Sequence, residues 1–217
     1  MAQPSYDFSD RVVVVTGGTL GLGARLVSAF VRAGARVVTC GPTPVDVEGA
    51  VFVMADVRQP DQARQVIDTA SERFGRVDVL VNTAAGPSAT EPGSATPGSI
   101  EAIVALNLLA PFYCAQAAND FMVTQPDGGV ILNVASPSGL GPSTDGSAYD
   151  AAMAGLINLS RTLAVEWQPK VRVNAVTAEP EATDDVAQMC LFLASPAAGS
   201  MTGADLVVHG GGGGPPG

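Results

Sequence analysis

Four consecutive valines, Val12 to Val15, run directly into Thr16-Gly17-Gly18-Thr19-Leu20-Gly21-Leu22-Gly23, where a segment of helical spacing begins. An unbroken β-branched run has no polar side to show to water, so it suits a strand covered on both faces, as in a parallel sheet. The glycines let the chain turn tightly from strand into helix and allow close approach of the backbone to a ligand. Strand, tight turn and helix form the first unit of an alternating α/β chain.

The alternation continues to the end. Strands are expected at 11–16, 36–40, 51–55, 77–82, 129–134, 171–176 and 205–208, and helices at 23–33, 60–74, 98–124, 146–167 and 183–194. Pro60 fits a first helical position, where its missing N–H costs nothing. The pattern predicts a single α/β domain over residues 1–209, a doubly wound parallel sheet of about seven strands. Residues 210–217, Gly-Gly-Gly-Gly-Gly-Pro-Pro-Gly, have nothing apolar to bury and read as a flexible tail. One connection is short for a parallel crossover: ten Pro- and Gly-containing residues, Gly41 to Ala50, leave no room for a covering helix.

Composition limits the partners. The 217 residues are 47% hydrophobic and carry 11 basic against 21 acidic side chains, a formal charge of -10. A chain of this length can bury roughly 70% of its unfolded surface and needs no disulfide or metal to fold. With few, scattered cations it is not built for nucleic acid or an anionic membrane. Cys40, Cys114 and Cys190 are odd in number and far apart, which suits buried free thiols in a reducing compartment. With one histidine, a metal site is not expected. Uninterrupted apolar runs fall short of the roughly 18 residues that mark a membrane span, and a cytoplasmic location is expected.

Two helices are apolar almost all round. Ile100 to Met122 carries only Glu101 and Asp120 as charges, and Ala148 to Val165 only Asp150 and Arg161. Such helices either pack beneath other elements or meet a second subunit, and a homo-oligomer through them is expected. Pro111 is expected to kink the first.

The chemistry begins at the Gly-rich turn. A helix N-terminus presents amides and the positive end of its dipole, which suits the pyrophosphate of a dinucleotide in a Rossmann-type fold. Here Thr-Gly-x-x-x-Gly-x-Gly resembles the cofactor fingerprint of the short-chain dehydrogenase/reductase family, and further matches follow in order. Asp56-Val57 is similar to the family's adenine-contacting pair. Asn82-Thr83-Ala84-Ala85-Gly86 resembles its Asn-Asn-Ala-Gly segment, with Thr83 for the second Asn and an extra Ala. Asn107 matches an Asn in the long helix, Ser136 the catalytic serine, and Tyr149 follows Ser136 by the family's 13 residues. Arg172-Val173-Asn174-Ala175-Val176 and the stretch Phe192 to Gly203 resemble the closing strand and helix.

The resemblance covers about residues 9–211. It implies a dinucleotide held by Gly17, Thr19, Gly21, Leu22, Gly23, Asp56, Val57, Asn82, Thr83 and Ala84, with Tyr149, Ser136 and Asn107 as the catalytic set. It also implies NAD(P)-dependent oxidoreduction of a carbonyl or hydroxyl on a small-molecule substrate.

In the family a Lys four residues beyond the tyrosine lies on the same helix face and lowers the phenol's pKa. That position is Met153, a side chain with no charge and no donor. A cation about 4 Å away is worth roughly 4 kcal/mol at an effective dielectric near 20, enough to lower a phenol from its ordinary value of about 10 to about 7. Without it, Tyr149 is expected to stay protonated, able to give a proton but a poor acceptor of one.

Lys170, the only lysine, precedes a strand and so stands at the opposite sheet edge, about 20 Å away for six strand residues. His209, just past the last strand, could serve as acid or base, although nothing in the sequence brings it to Tyr149. The family's Pro-Gly and pocket-forming segment are also missing: Val176-Thr177-Ala178-Glu179-Pro180-Glu181-Ala182-Thr183 leads almost directly into the last helix. Cofactor choice is weakly marked. Leu20, Gly41 and Pro42 stand where relatives place deciding charges, and nearby Asp46 and Glu48 would repel a 2′-phosphate, a lean to NAD. Two functions follow: an oxidoreductase with impaired proton transfer, or a cofactor-binding or structural subunit that has lost turnover. A non-redox proton transfer by Tyr149 or His209 has no positive signal.

Overall fold

The computed structural model describes residues 5–86, 95–143, 146–179 and 182–209, so the expected tail at 210–217 lies outside the described residues. Seven strands, β1 (Val12–Thr16), β2 (Arg36–Gly41), β3 (Ala50–Met54), β4 (Val79–Asn82), β5 (Gly129–Ala135), β6 (Val171–Ala178) and β7 (Asp205–Val208), form one sheet in the order β3-β2-β1-β4-β5-β6-β7. Every neighbouring pair is parallel.

The four valines explain the layering. Val12 and Val14 face one side, packing with α2 (Pro60–Phe74), α4 (Ala110–Met122) and α5 (Ser147–Trp167). Val13 and Val15 face the other, with α1 (Gly21–Arg32) and α6 (Thr183–Ala194). Period-two alternation thus feeds two cores from one run of a single residue type.

Residues 42–49 join β2 to β3 without a helix, leaving three of the five β3 residues only partly covered and Met54 exposed at the sheet edge. The long helix expected at 98–124 is divided: α3 (Pro97–Val104) passes through a π-turn at Ala105–Leu109 into α4. Pro111 lacks the N–H that would pair with the Asn107 carbonyl and its ring crowds that carbonyl, and the wider turn just ahead of it relieves both. The irregularity expected at Pro111 therefore takes the form of a π-turn.

Taken together, Pro97–Met122 is a 26-residue helix long and apolar enough to cross a bilayer, an outcome that counting uninterrupted apolar runs missed. In the fold it packs against α2 and α5, and it buries Asn107 and Cys114.

All three cysteines are buried and free. Burial pushes Cys40 up to about 11 and Cys190 up to about 12, and raises Cys114 as well.

Candidate active site

The Gly-rich turn is built by what its glycines exclude. A Cβ on Gly18 would sit 2.2 Å from Thr39 Oγ1 and 2.6 Å from Val27 Cγ2, and one on Gly23 would sit 2.2 Å from the Gly17 carbonyl oxygen. Gly17 has φ +68° and touches Ala84, while Gly21 has φ +53° and faces open space. Thr39 donates to the Val15 carbonyl at 2.7 Å and accepts from the Gly18 amide at 3.0 Å, clamping the turn onto β1 and β2. Thr16 Oγ1 accepts from the amides of Thr83 (3.1 Å) and Ala84 (3.2 Å), and the Thr83 hydroxyl donates back to the Thr16 carbonyl. Thr83, standing where the family has Asn, stitches β4 to β1.

Helix α1 starts with no side-chain cap and no acidic residue in its first turn. Its first amides are therefore left to an outside acceptor, and the positive end of the dipole is not neutralised. They border a cleft of about 450 Å³ at the carboxyl ends of β1 to β4. Gly17, Thr19, Leu22, Gly23, Asp56, Val57, Thr83 and Ala84, all expected in the cofactor site, line it. An extended anion with an adenine at one end fits this arrangement of bare amides and apolar wall.

Two expected cofactor residues do not line the cleft. Gly21 stands at the helix start with its Cα toward open space. Asn82 is buried and supports the floor: its amide donates to Asn133 Oδ1 at 2.8 Å and to the Pro111 carbonyl at 3.2 Å. Asn133 in turn donates to Ser160 Oγ, and Ser160 to the Leu156 carbonyl, so a buried chain of amides and hydroxyls ties β4, β5 and α5 together. Asn107 is also buried, in the π-turn, donating to the Ile103 carbonyl at 2.9 Å. Its side chain thus lies inside the wall and is not among the residues that line the cleft.

Ser136 follows β5 and caps a 3₁₀ turn at Pro137–Gly139, accepting from the Ser138 amide (3.4 Å) and hydroxyl (3.2 Å). That turn rests on α5: a Cβ on Gly139 would meet the backbone of Met153 and Ala154 at 2.8 Å. Tyr149, in the first turn of α5, packs on the apolar cluster of Ala135, Met153, Leu156, Ile157 and Ala175. The tyrosine and serine thus stand on adjoining supports one strand beyond the cleft, and Met153 is 2% exposed within the cluster.

The alternatives are placed as well. Lys170 bonds the carbonyls of Gln125 and Pro126 at the amino edge of the sheet. His209 Nδ1 lies 2.9 Å from Glu179 Oε1, bracing the ends of β6 and β7.

Residue-level reading did not give Thr16 and Thr39 their role of holding the turn, and it missed the lining residues Cys40, Ala55, Arg58 and Leu106, while Leu20, Gly41 and Pro42, singled out for cofactor choice, do line the cleft. The first two carried a signal: each is a hydroxyl in an otherwise apolar buried strand, where a polar group must have a partner.

The family model of the short chain dehydrogenases matches residues 11–189. This chain belongs to that family. It is 33% identical over 246 aligned positions to a probable galactose dehydrogenase of Rhizobium meliloti, covering 94% of this chain and 96% of the relative. A probable 2,4-dienoyl-CoA reductase of Bacillus subtilis is 34% identical over 184 positions, covering 78% and 72%. Among solved structures, the aldohexose dehydrogenase of Thermoplasma acidophilum superposes with a TM-score of 0.88 at 25% identity, covering 94% of both chains. A short-chain type dehydrogenase/reductase from Mycobacterium marinum gives 0.86 at 28%, covering 95% and 97%. The family consists of oxidoreductases that use NAD(P). Because the first alignment spans 246 positions against a chain of 217, the relative carries segments that this chain lacks.

Proposed function

We propose that the chain binds a nicotinamide dinucleotide in the Gly-rich cleft and reduces a carbonyl compound slowly. Tyr149 is the proton donor and Ser136 the group that holds the carbonyl oxygen. The observation that carries this reading is the uncapped start of α1 opening onto the cleft, with Tyr149 and Ser136 one strand away on α5 and the turn it supports.

The bound dinucleotide would supply the hydride. The Ser136 hydroxyl polarises the carbonyl, and the Tyr149 O–H delivers its proton to the oxygen. Donation suits a phenol that lacks a neighbouring ammonium; the reverse step, alcohol oxidation, needs the phenolate and is disfavoured.

Two observations favour a second reading, a subunit that binds cofactor without turnover. Met153 is sealed in an apolar cluster on the helix face of Tyr149, and the chain passes from β6 to α6 in four residues with no pocket segment. We further propose a cytoplasmic homo-oligomer joined through α3–α4 and α5. Free buried thiols suit the reducing compartment, and the apolar outer face of those helices suits the interface.

Calorimetric titration with NADH and NADPH tests the shared premise. Saturable binding of at least one is expected, and no heat from either at millimolar cofactor would overturn both readings.

A further inference from the structure

A second cleft, of about 420 Å³, lies at the opposite edge of the sheet, around the amino ends of β4, β5 and β6. Three of the chain's 11 basic side chains line it, Arg11, Lys170 and Arg172, together with Asp7, Asp78 and Asp127. In a chain with a formal charge of -10, the only lysine and two arginines thus meet in one recess far from the Gly-rich turn.

These charges are unevenly paired. Asp78 is buried and accepts from Arg11 at 2.8 Å, Arg76 at 2.5 Å and the Val12 amide at 2.8 Å. Asp127 stands 3.3 Å from Arg11 and 3.6 Å from Arg76, so two acids and two arginines answer one another. Asp7 accepts from the Ser9 amide at 2.9 Å and is exposed to water, which screens its charge. Arg172 and Lys170 have no such partner: neither has a carboxylate at ion-pair distance among the described residues. Arg172 donates to the carbonyls of Met201 (3.1 Å) and Leu193 (2.9 Å), and Lys170 to those of Gln125 (3.2 Å) and Pro126 (3.3 Å). These carbonyls hold the two side chains in place but bring only partial charge. Burial accordingly pulls the Arg172 guanidinium below its ordinary value, whereas hydrogen-bonded aspartates raise Arg58, Arg64 and Arg76.

The backbone that carries the two cations is also fixed. Gly128 has φ +68°, and a Cβ there would sit 1.8 Å from the Lys170 carbonyl oxygen. The Gly129 amide donates to that same oxygen at 3.1 Å. Lys170 and Arg172 therefore enter β6 at set positions, about 7 Å apart along the strand.

We propose that this cleft is a second ligand site, separate from the Gly-rich cleft, and that it takes a small oxyanion, a phosphate or carboxylate group, on Arg172 and Lys170. A half-buried guanidinium that meets only neutral dipoles keeps an uncompensated desolvation cost, and a full negative charge entering the cleft offsets it through charge-assisted hydrogen bonds. The assignment does not depend on the cofactor reading.

The test is calorimetric titration of the full chain with inorganic phosphate and with succinate, repeated with NADH and with NADPH present. Saturable binding of at least one probe at about millimolar concentration is expected, weakened by added sodium chloride and indifferent to either dinucleotide. Stronger binding of phosphate assigns the site to phosphorylated compounds, and stronger binding of succinate to carboxylates. Lys170→Gln and Arg172→Gln should each weaken binding at least about tenfold. Lys170 is exposed and glutamine can still donate to the same carbonyls, so Lys170→Gln decides the matter even if Arg172→Gln fails to fold. No saturable binding of either probe, an affinity unchanged in Lys170→Gln, or displacement of the probe by a dinucleotide overturns the proposal.

Discussion

Met153 lies four residues beyond Tyr149 on α5 and fills an apolar cluster in which each neighbour is Ala, Leu or Ile apart from the tyrosine itself. The phenol therefore has hydrocarbon where relatives supply a cation. Replacing Met153 with Lys restores a positive group on the helix face that carries the phenol, at the cost of desolvating an ammonium. Met153→Lys is expected to raise carbonyl reduction by about 10²-fold, within the usual range of acid–base assistance, while Tyr149→Phe removes what turnover there is. Steady-state rates with NADPH and NADH on a panel of aldehydes and ketones check both. If Met153→Lys binds cofactor yet gains nothing, the absent pocket segment limits the reaction. The departure at 153 was legible as one letter in a spaced motif. That the methionine is sealed in a cluster with Ala135 and Ala175 was not, because those partners come from β5 and β6.

At the scale of elements, the Gly-rich turn was readable because its backbone needs are local: two positive φ angles and no side chain at the tightest contacts. Its clamp was not, since Thr39 lies 21 residues beyond Gly18 and reaches it only once β2 pairs with β1. Gly18→Ala would drive a Cβ into that clamp and into Val27. Overpacking of this kind costs about 1–3 kcal/mol, so the thermal midpoint should fall by roughly 2–12 °C for a chain of this length, with a parallel loss of cofactor affinity. Calorimetry of melting and of binding reads both, and an unshifted melt would contradict the clamp. The division of the long helix shows the same split. Pro111 announced an irregularity, but its form, a π-turn at Ala105–Leu109, and the contacts that seat the following helix, the Asn82 amide on the Pro111 carbonyl and α4 on α2, appear only in the folded chain.

For the whole molecule, the apolar helix Pro97–Met122 is the feature left unresolved by one chain. Its most apolar stretch has a mean hydropathy of 1.4 yet is only 28% buried, and Ile100 and Leu109 stand exposed on it, with Val165 on α5. A surface of that kind in water calls for a partner. Sedimentation is expected to show a dimer or larger species, and Leu109→Glu with Val165→Glu should shift it toward the monomer; a wild-type species of 21.9 kDa alone would refute the interface. Sequence by itself determined the order of strands and helices, the burial of the sheet on both faces and the identity of the turn, because hydrophobic period, proline position and glycine placement are set by neighbours within a few residues. Only the tertiary structure decided that Asn82 and Asn107 are buried and hydrogen-bonded within the fold, that Asp56 pairs with Arg58, and that Asp46 and Glu48 do not line the cleft. Each of those depends on which distant side chain arrives at hydrogen-bond distance, and that is fixed by packing the sheet and its helices together.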